Sequence, residues 1–305
     1  TDFPVYISLH MIDETAGASA RMVYLDLNDR KIEYVDDTDG SFWMSRMVTS
    51  AGGNPGRGIS LAFANDNPVI SYVDASYSDL KYAQPASSKG GPTCGADITG
   101  WDCQTFGIES KFHTSLAVDY YYDNPNILFE YYSVDGLRLT HYDGSDWEDP
   151  ISISNSDIES LDQKIVCSFV GGIYTCNTHV AYFDNTTDSV MYAHTVTNTG
   201  NCGGGDWQCE TVDGNLGSTY GGVDLELDTS SKPSISYYNS TADQIKVAYR
   251  VGNMTGTGCS TGNGDWECDI VEGVGFLSDP QTALAFTESN TACTSACLLY
   301  TSRRG

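Results

Sequence analysis

Six strand-like runs in this 305-residue chain end on an aromatic residue and then turn polar: Met22-Val23-Tyr24, Ile70-Ser71-Tyr72, Ile127-Leu128-Phe129, Val180-Ala181-Tyr182, Ile235-Ser236-Tyr237 and Leu298-Leu299-Tyr300. The aromatics lie 48, 57, 53, 55 and 63 residues apart. Self-similarity at a period of roughly 50 residues is the mark of a radial or linear array of one supersecondary unit, since one unit alone cannot bury its apolar faces.

Each unit resolves into as many as four short strands. The first is alternating or apolar: Ile7-Ser8-Leu9, Ile59–Phe63, Ser115–Val118, Ile165–Phe169, Leu225-Glu226-Leu227 and Ala283–Phe286. Turns rich in Asn, Asp and Pro follow, as in Asn65–Pro68 and Asp123-Asn124-Pro125, and these residues favour tight reversals. The second strand carries the aromatic. The third is short and has its own aromatic in Tyr34, Tyr82, Tyr142, Tyr192 and Tyr249. A Gly/Asp-rich hairpin then leads to a fourth strand that opens on Trp43, Trp101, Trp147, Trp207 or Trp266, which are all five tryptophans. Alternation, aromatic enrichment and turn residues at each break predict strands, with no sustained helical period.

Four-stranded units of this length, repeated about six times, describe a β-propeller. The expectation is therefore an all-β chain forming one domain over 1–305. It would be a six-bladed β-propeller of four-stranded antiparallel blades, spanning approximately 1–56, 57–112, 113–160, 161–216, 217–278 and a partial 279–305. The tyrosines and tryptophans are expected to pack between blades, where large aromatic area contributes most.

Ten cysteines fall into near-neighbour pairs: Cys94/Cys103, Cys167/Cys176, Cys202/Cys209, Cys259/Cys268 and Cys293/Cys297. Zinc would want closer knuckles with histidine partners, so disulfides and an oxidising, extracellular or cell-surface setting are predicted. Three pairs would staple the third-to-fourth hairpin of units two, four and five. Cys167/Cys176 would tie the first strand of unit four to the turn after it, and Cys293/Cys297 would sit between the first and second strands of unit six. Sequons at Asn185, Asn239 and Asn253 agree with that setting.

Ser60-Leu61-Ala62, Pro68-Val69-Ile70-Ser71-Tyr72-Val73-Asp74, Leu80-Lys81-Tyr82-Ala83 and Gly100-Trp101 resemble a repeat of secreted prokaryotic β-propellers, with the pattern SLAxD, PxISYYD, LKYA, then GxW. Pro233–Asn239 is similar to its second element, whereas Phe63-Ala64 stands where the first element has Asp. The resemblance implies the fold and an extracellular setting, and no reaction. Asp39–Trp43 and Asp143–Trp147 resemble the Asp-box of sialidase-type propellers, without its Ser-x-Asp-x-Gly-x-Thr-Trp order.

A net charge of −26 disfavours nucleic acid and anionic membrane surfaces as partners. No apolar run has membrane-spanning length, so no membrane insertion is expected. No leader-like segment precedes Thr1, so the chain reads as processed or supplied without one. Eight arginines, two of them Arg303 and Arg304, are few for a carboxylate clamp. No nucleophile elbow, zincin motif or P-loop occurs. Calcium is the cofactor candidate, with Asp37 and Asp39 in one acidic turn and Asp143 and Asp146 in another offering hard oxygen ligands, against the alternative that both are ordinary acidic turns without the EF-hand order.

First and second strands occur six times, third and fourth strands five times. Three readings of the open edge this leaves stand side by side: a two-stranded sixth blade covered by a loop, a native chain that continues past Gly305, or strand addition from a second copy, head to tail. The expected function is therefore a non-enzymatic extracellular structural or adhesive protein that polymerises into a fibre. The alternatives are a glycan-binding, lectin-like propeller and, after it, a polysaccharide hydrolase or lyase.

Overall fold

The computed structural model describes residues 7–14, 17–26, 29–37, 43–49, 58–86, 94, 100–217, 222–251, 256–260, 264–273, 281–286 and 296–301. Its strands are β1 (Ile7–Glu14), β2 (Gly17–Asp26), β3 (Lys31–Asp36) and β4 (Met44–Thr49) in blade one. Blades two and three comprise β5 (Ser60–Ala64), β6 (Asn67–Asp74), β7 (Asp79–Pro85), β8 (Trp101–Asp119), β9 (Asn124–Tyr131), β10 (Gly136–His141) and β11 (Ile151–Ser154). Blade four comprises β12 (Ile158–Val170), β13 (Ile173–Asp184), β14 (Ser189–Thr195) and β15 (Trp207–Asp213). Blade five comprises β16 (Asp224–Leu227), β17 (Pro233–Asn239), β18 (Gln244–Arg250) and β19 (Trp266–Gly273), and β20 (Gln281–Phe286) pairs with β21 (Ala296–Thr301). Strands neighbour one another in chain order throughout, which is the up-and-down meander of a propeller blade.

The second strands of blades two and five are flanked on both faces. In β6 and β17 nearly every side chain is buried, which explains why Val69-Ile70-Ser71-Tyr72-Val73 reads as a run rather than a half-polar alternation. Blades two and three have no loop between them. The 19-residue β8 pairs with β7 through its first half and with β9 through its second, with register shifts at Asp79/Lys81 and Ser110/Thr114.

The chain packs as two compact units, Thr1–Val134 with Leu139–Pro150, and Asp135–Arg138 with Ile151–Gly305. In the first unit, the Ser8 hydroxyl accepts the Leu61 N–H (3.1 Å) and the Ser60 hydroxyl accepts the Leu116 N–H (2.9 Å). In the second, Asp162 accepts the Leu225 N–H (3.0 Å) and Asp224 accepts the Leu284 N–H (2.6 Å). The same latch thus joins first strand to first strand, with Ser in some repeats and Asp in others.

A second join also recurs. Thr114 donates to the Gly58 carbonyl and lies 2.9 Å from the Ser71 hydroxyl. Thr282 lies between the Gly222 and Ser236 carbonyls, at 3.0 and 3.2 Å. Gly58 holds φ +62°, and a Cβ there would meet the Phe112 carbonyl and the Thr114 nitrogen. Gly58→Ala is therefore expected to cost about 2–3 kcal/mol, from left-handed strain plus loss of the join. Urea unfolding checks this, and an unchanged midpoint would contradict it.

A third join differs between repeats. Tyr72 OH lies 3.5 Å from Cys103 Sγ, and Tyr237 OH lies 3.4 Å from Cys268 Sγ. Thr49 donates to the Cys94 carbonyl at 3.1 Å. At the corresponding place in blade four stands Asp213, which is fully buried. It accepts from Lys246 Nζ (2.5 Å), Tyr237 OH (2.7 Å), and the Ser260 N–H and hydroxyl (both 2.6 Å). Burial alone would raise the Asp213 carboxyl, but the donors from Lys246, Ser260 and Tyr237 outweigh it and hold the group below its ordinary range.

Among the described residues four disulfides form, Cys94–Cys103, Cys167–Cys176, Cys202–Cys209 and Cys259–Cys268. The fifth expected pair, Cys293/Cys297, falls outside them, because Cys293 is not among the described residues. The placement of Cys297 also differs from expectation. It stands within β21, the second strand of blade six, opposite Ala285, and not between the two strands. The β20–β21 ladder runs back as far as the Phe286/Ala296 pair, so the strand begins before the apolar run Leu298–Tyr300 from which the sequence places it.

One expected strand is displaced. Ile165–Phe169, read as the first strand of blade four, belongs to the distal part of β12. There Ile165–Val170 pairs with Ile173–Thr178, and Cys167 is directly opposite Cys176. The blade itself uses Ile158–Lys164 against His179–Asp184. The disulfide therefore joins strand to strand, not strand to turn. Apolar content is misleading here because Phe169, Val170 and Ile173 are exposed.

Candidate functional site

One packing contact repeats between consecutive blades: the third-strand tyrosine of one meets the tryptophan of the next, edge to face. Tyr34 and Trp101 have ring centroids 5.7 Å apart, Tyr82 and Trp147 5.1 Å, and Tyr192 and Trp266 5.4 Å. Such geometry aligns the positive ring edge with the negative face. Trp101, Trp207 and Trp266 are 4%, 1% and 0% exposed, as expected of inter-blade packing residues. Trp43 departs from that expectation at 55% exposed, and Trp147 is half-buried.

The hairpin before each tryptophan accounts for the difference. Before Trp101 and Trp266 the chain makes long excursions, closed by the Ala86 N–H to Gly100 carbonyl and Val251 N–H to Asp265 carbonyl bonds. Cys94 and Cys259 from these excursions join the apolar clusters around Trp101 and Trp266. The blade-three hairpin is short, bridged between Tyr142 and Trp147, and has no cysteine. Asp143 accepts the Ser145 N–H and hydroxyl (both 2.7 Å) and the Asp146 N–H (2.8 Å), and Asp146 accepts the Trp147 N–H (2.8 Å). Trp147 is left packed on Tyr82, Phe106 and Tyr142 beside an open space.

That space is a cleft of 760 Å³ at the junction of blades two and three, within the range of roughly 300–1,000 Å³ usual for ligand sites. Trp147, Tyr142 and Tyr82 supply its aromatic wall. Asp102, Asp123 and Asp146 contribute carboxylates, and Asn65, Asn67, Gln84 and Gln104 contribute amides. Asp123 also accepts the Asn65 N–H at 3.2 Å, which ties the two turns that edge the cleft. Beside Asp123 in its turn, Tyr120, Tyr121 and Tyr122 are exposed, with Tyr121 and Tyr122 ring centroids 4.6 Å apart.

The metal candidates are spread out. Asp37 accepts from the Ala20 N–H (3.1 Å) and pairs with Arg21 (3.4 Å), and Asp39 lies outside the described residues. Asp143 is held at about 2 by the Asp146 and Ser145 donors, which organise its turn. Asp146 lines the cleft. Of the sequons, Asn185 is half-buried and donates to Asp157 at 3.1 Å, Asn239 accepts the Ala242 N–H at 3.1 Å, and Asn253 lies outside the described residues. Apart from Ser145, Asp146 and Trp147, which fall in the run that resembles an Asp-box, the cleft residues carry no site motif in the sequence. Their signal is a tryptophan hairpin without a cysteine pair, a feature shared with Trp43.

In the second unit, Ser152, Ser154, Asn155, Tyr182 and Asp184 line a smaller hollow of 530 Å³ with the Cys202–Cys209 hairpin. On the opposite face of the same sheet, His179 bonds Tyr192 OH at 2.5 Å and stacks on His194, with the Arg250–Glu210 pair alongside. Burial, then the neighbouring His194 and Arg250, push His179 down to about 4, and burial with Arg250 lowers His194. Both are neutral in the fold, so their contribution is complete above the ordinary histidine value and is lost as pH falls from about 6.5 towards 4. His179→Gln is expected to abolish about 2 kcal/mol of the acid-side loss in that window, as read from melting temperature against pH. Identical curves would contradict it.

No protein-family model matches the chain, and neither does any curated protein sequence. Among solved structures, a triple mutant of AofleA from Arthrobotrys oligospora is similar, with a TM-score of 0.57 and 10% identity over 97% of this chain and 85% of that one. So is a fungal lectin from Aleuria aurantia described as a six-bladed β-propeller with a novel fucose recognition mode, with a TM-score of 0.54 and 11% identity over 92% and 84%. A mutant Aleuria aurantia lectin in complex with α-methyl-L-fucoside gives 0.56 and 10% over 96% and 94%. At these identities the likeness shows the fold. The chain is a six-bladed β-propeller of four-stranded blades whose sixth, β20 and β21, is incomplete among the described residues.

Proposed function

We propose that the chain is an extracellular carbohydrate-binding propeller whose sugar site is the cleft between blades two and three. The observation that carries this is Trp147, a scaffold tryptophan that its own short hairpin leaves open beside carboxylates and amides. A sugar presents C–H faces and a ring of hydroxyls, so it needs an aromatic wall together with convergent polar groups. The fucose recognition described for a similar fold favours this reading over the fibre-forming one, which rests on the strand count of the sixth repeat. We read the site as binding without catalysis. The four disulfides fit an oxidising compartment.

A glycan array probed with the full chain and with Trp147→Ala tests this. The expected result is binding of the full chain to at least one glycan class and its loss in the variant. Equal binding by both proteins would contradict the assignment of the site.

A further inference from the structure

We infer that the sugar taken by this cleft carries a protonated amine, as in oligosaccharides of unacetylated hexosamine, and that the cleft rejects uronic and sialic acids. This rests on the reading of the cleft as a carbohydrate site. Among the described residues its lining holds Asp102, Asp123 and Asp146, and no lysine, arginine or histidine. Asp123 and Asp146 each direct one oxygen to a backbone N–H, of Asn65 and Trp147 respectively. A carboxylate has two acceptor oxygens, so each retains a second for a ligand.

An anionic sugar would meet the Asp123 and Asp146 carboxylates, with no lysine, arginine or histidine among the described lining residues, on a chain of net charge −26. Like charges brought together in a partly desolvated site are strongly disfavoured. An ammonium gains from the same charges and also from the ring faces of Trp147 and Tyr142, whose quadrupoles attract cations. The amides Asn65, Asn67, Gln84 and Gln104 can both donate and accept, which suits the remaining hydroxyls.

Calorimetric titration of the full chain tests this with four probes: a glucosamine trisaccharide, its N-acetylated counterpart, a galacturonate trisaccharide and trilysine. The glucosamine trisaccharide is expected to bind at least about tenfold more tightly than the N-acetylated one, with affinity falling as salt is raised. Asp123→Asn and Asp146→Asn are each expected to weaken the glucosamine probe about tenfold and leave the N-acetylated one unchanged. Trp147→Ala should abolish both, whereas Trp43→Ala should leave both intact. Equal or tighter binding of the N-acetylated or galacturonate probe, still lost in Trp147→Ala, would overturn the amino-sugar class and leave the carbohydrate site standing. Trilysine binding as tightly as the sugar would also overturn it. Binding of no sugar, or binding insensitive to Trp147→Ala, would sink both readings.

Discussion

Trp147→Ala is expected to weaken glycan binding by about 30-fold or more, the scale of a central aromatic anchor, at roughly 2 kcal/mol. Trp147→Phe should retain part of the affinity, since a smaller ring still offers a face. The same alanine variant is expected to lose about 2 kcal/mol of stability, because Trp147 also packs on Tyr82, Phe106 and Tyr142 while a minor part of it stays in solvent. Binding is therefore to be read well below the variant's melting temperature, by calorimetry at matched protein concentration. Trp43→Ala removes a tryptophan that is 55% exposed and serves as the control. A loss of affinity in both variants, or in neither, would contradict the role given to Trp147.

Asp213→Ala is expected to destabilise the chain by about 3–5 kcal/mol, because it strands the Lys246 ammonium, only 7% exposed at its side chain, without its 2.5 Å partner. The melting temperature should fall by roughly 10 °C. The double variant Asp213→Thr with Lys246→Met should recover most of that loss, since it removes both charges and restores the hydroxyl found at Thr49. In the blade-two copy the corresponding Lys81 is served differently, by Thr105 at 2.7 Å and Asp74 at 4.0 Å. The sign with pH follows from the depressed Asp213 carboxyl: its contribution is complete above the ordinary carboxylate range and is lost as pH falls through the folded-state value. The wild-type chain should therefore lose stability in acid more steeply than the double variant. A single variant as stable as wild type would show that the network contributes nothing.

The scaffold is legible in the sequence because it is periodic. Tyr72 and Tyr237, Thr114 and Thr282, and Trp101 and Trp266 occupy matching places in their repeats, and each pair shares a contact: the hairpin cystine sulfur, the Gly58 or Gly222 carbonyl, and the tyrosine of the preceding blade. Period 2 alternation and turn residues identify strands whatever their partners. Three half-cystine pairs fall on their expected hairpins for the same reason. Legibility fails where a feature departs from the period. Ile165–Phe169 has the composition of a core strand yet sits in an exposed arm of β12, because composition reports strand propensity and not which layer a strand enters. Cys297 reads as a residue before its strand and stands inside it, because the ladder with β20 and not the apolar run sets where β21 begins. Tyr142, Asp123 and Asn65 are ordinary turn and strand residues in the sequence, and they converge only through the pairing of β7, β8 and β9. Trp147 is, by sequence, one of five equivalent tryptophans. Its hairpin, four residues between Tyr142 and Trp147 and without cysteine, is the departure that leaves it open.

Hydrogen–deuterium exchange on the full chain, with and without a saturating oligosaccharide selected by the glycan array, tests the central claim most directly. Amides in exposed turns exchange through local opening, and a bound ligand slows them. Protection is expected in the Asn65–Asn67, Tyr122–Asn124 and Tyr142–Trp147 segments, with the Trp43 segment unchanged. Protection confined to other segments, with these three unaffected while the sugar is bound, would place the site elsewhere and contradict the account.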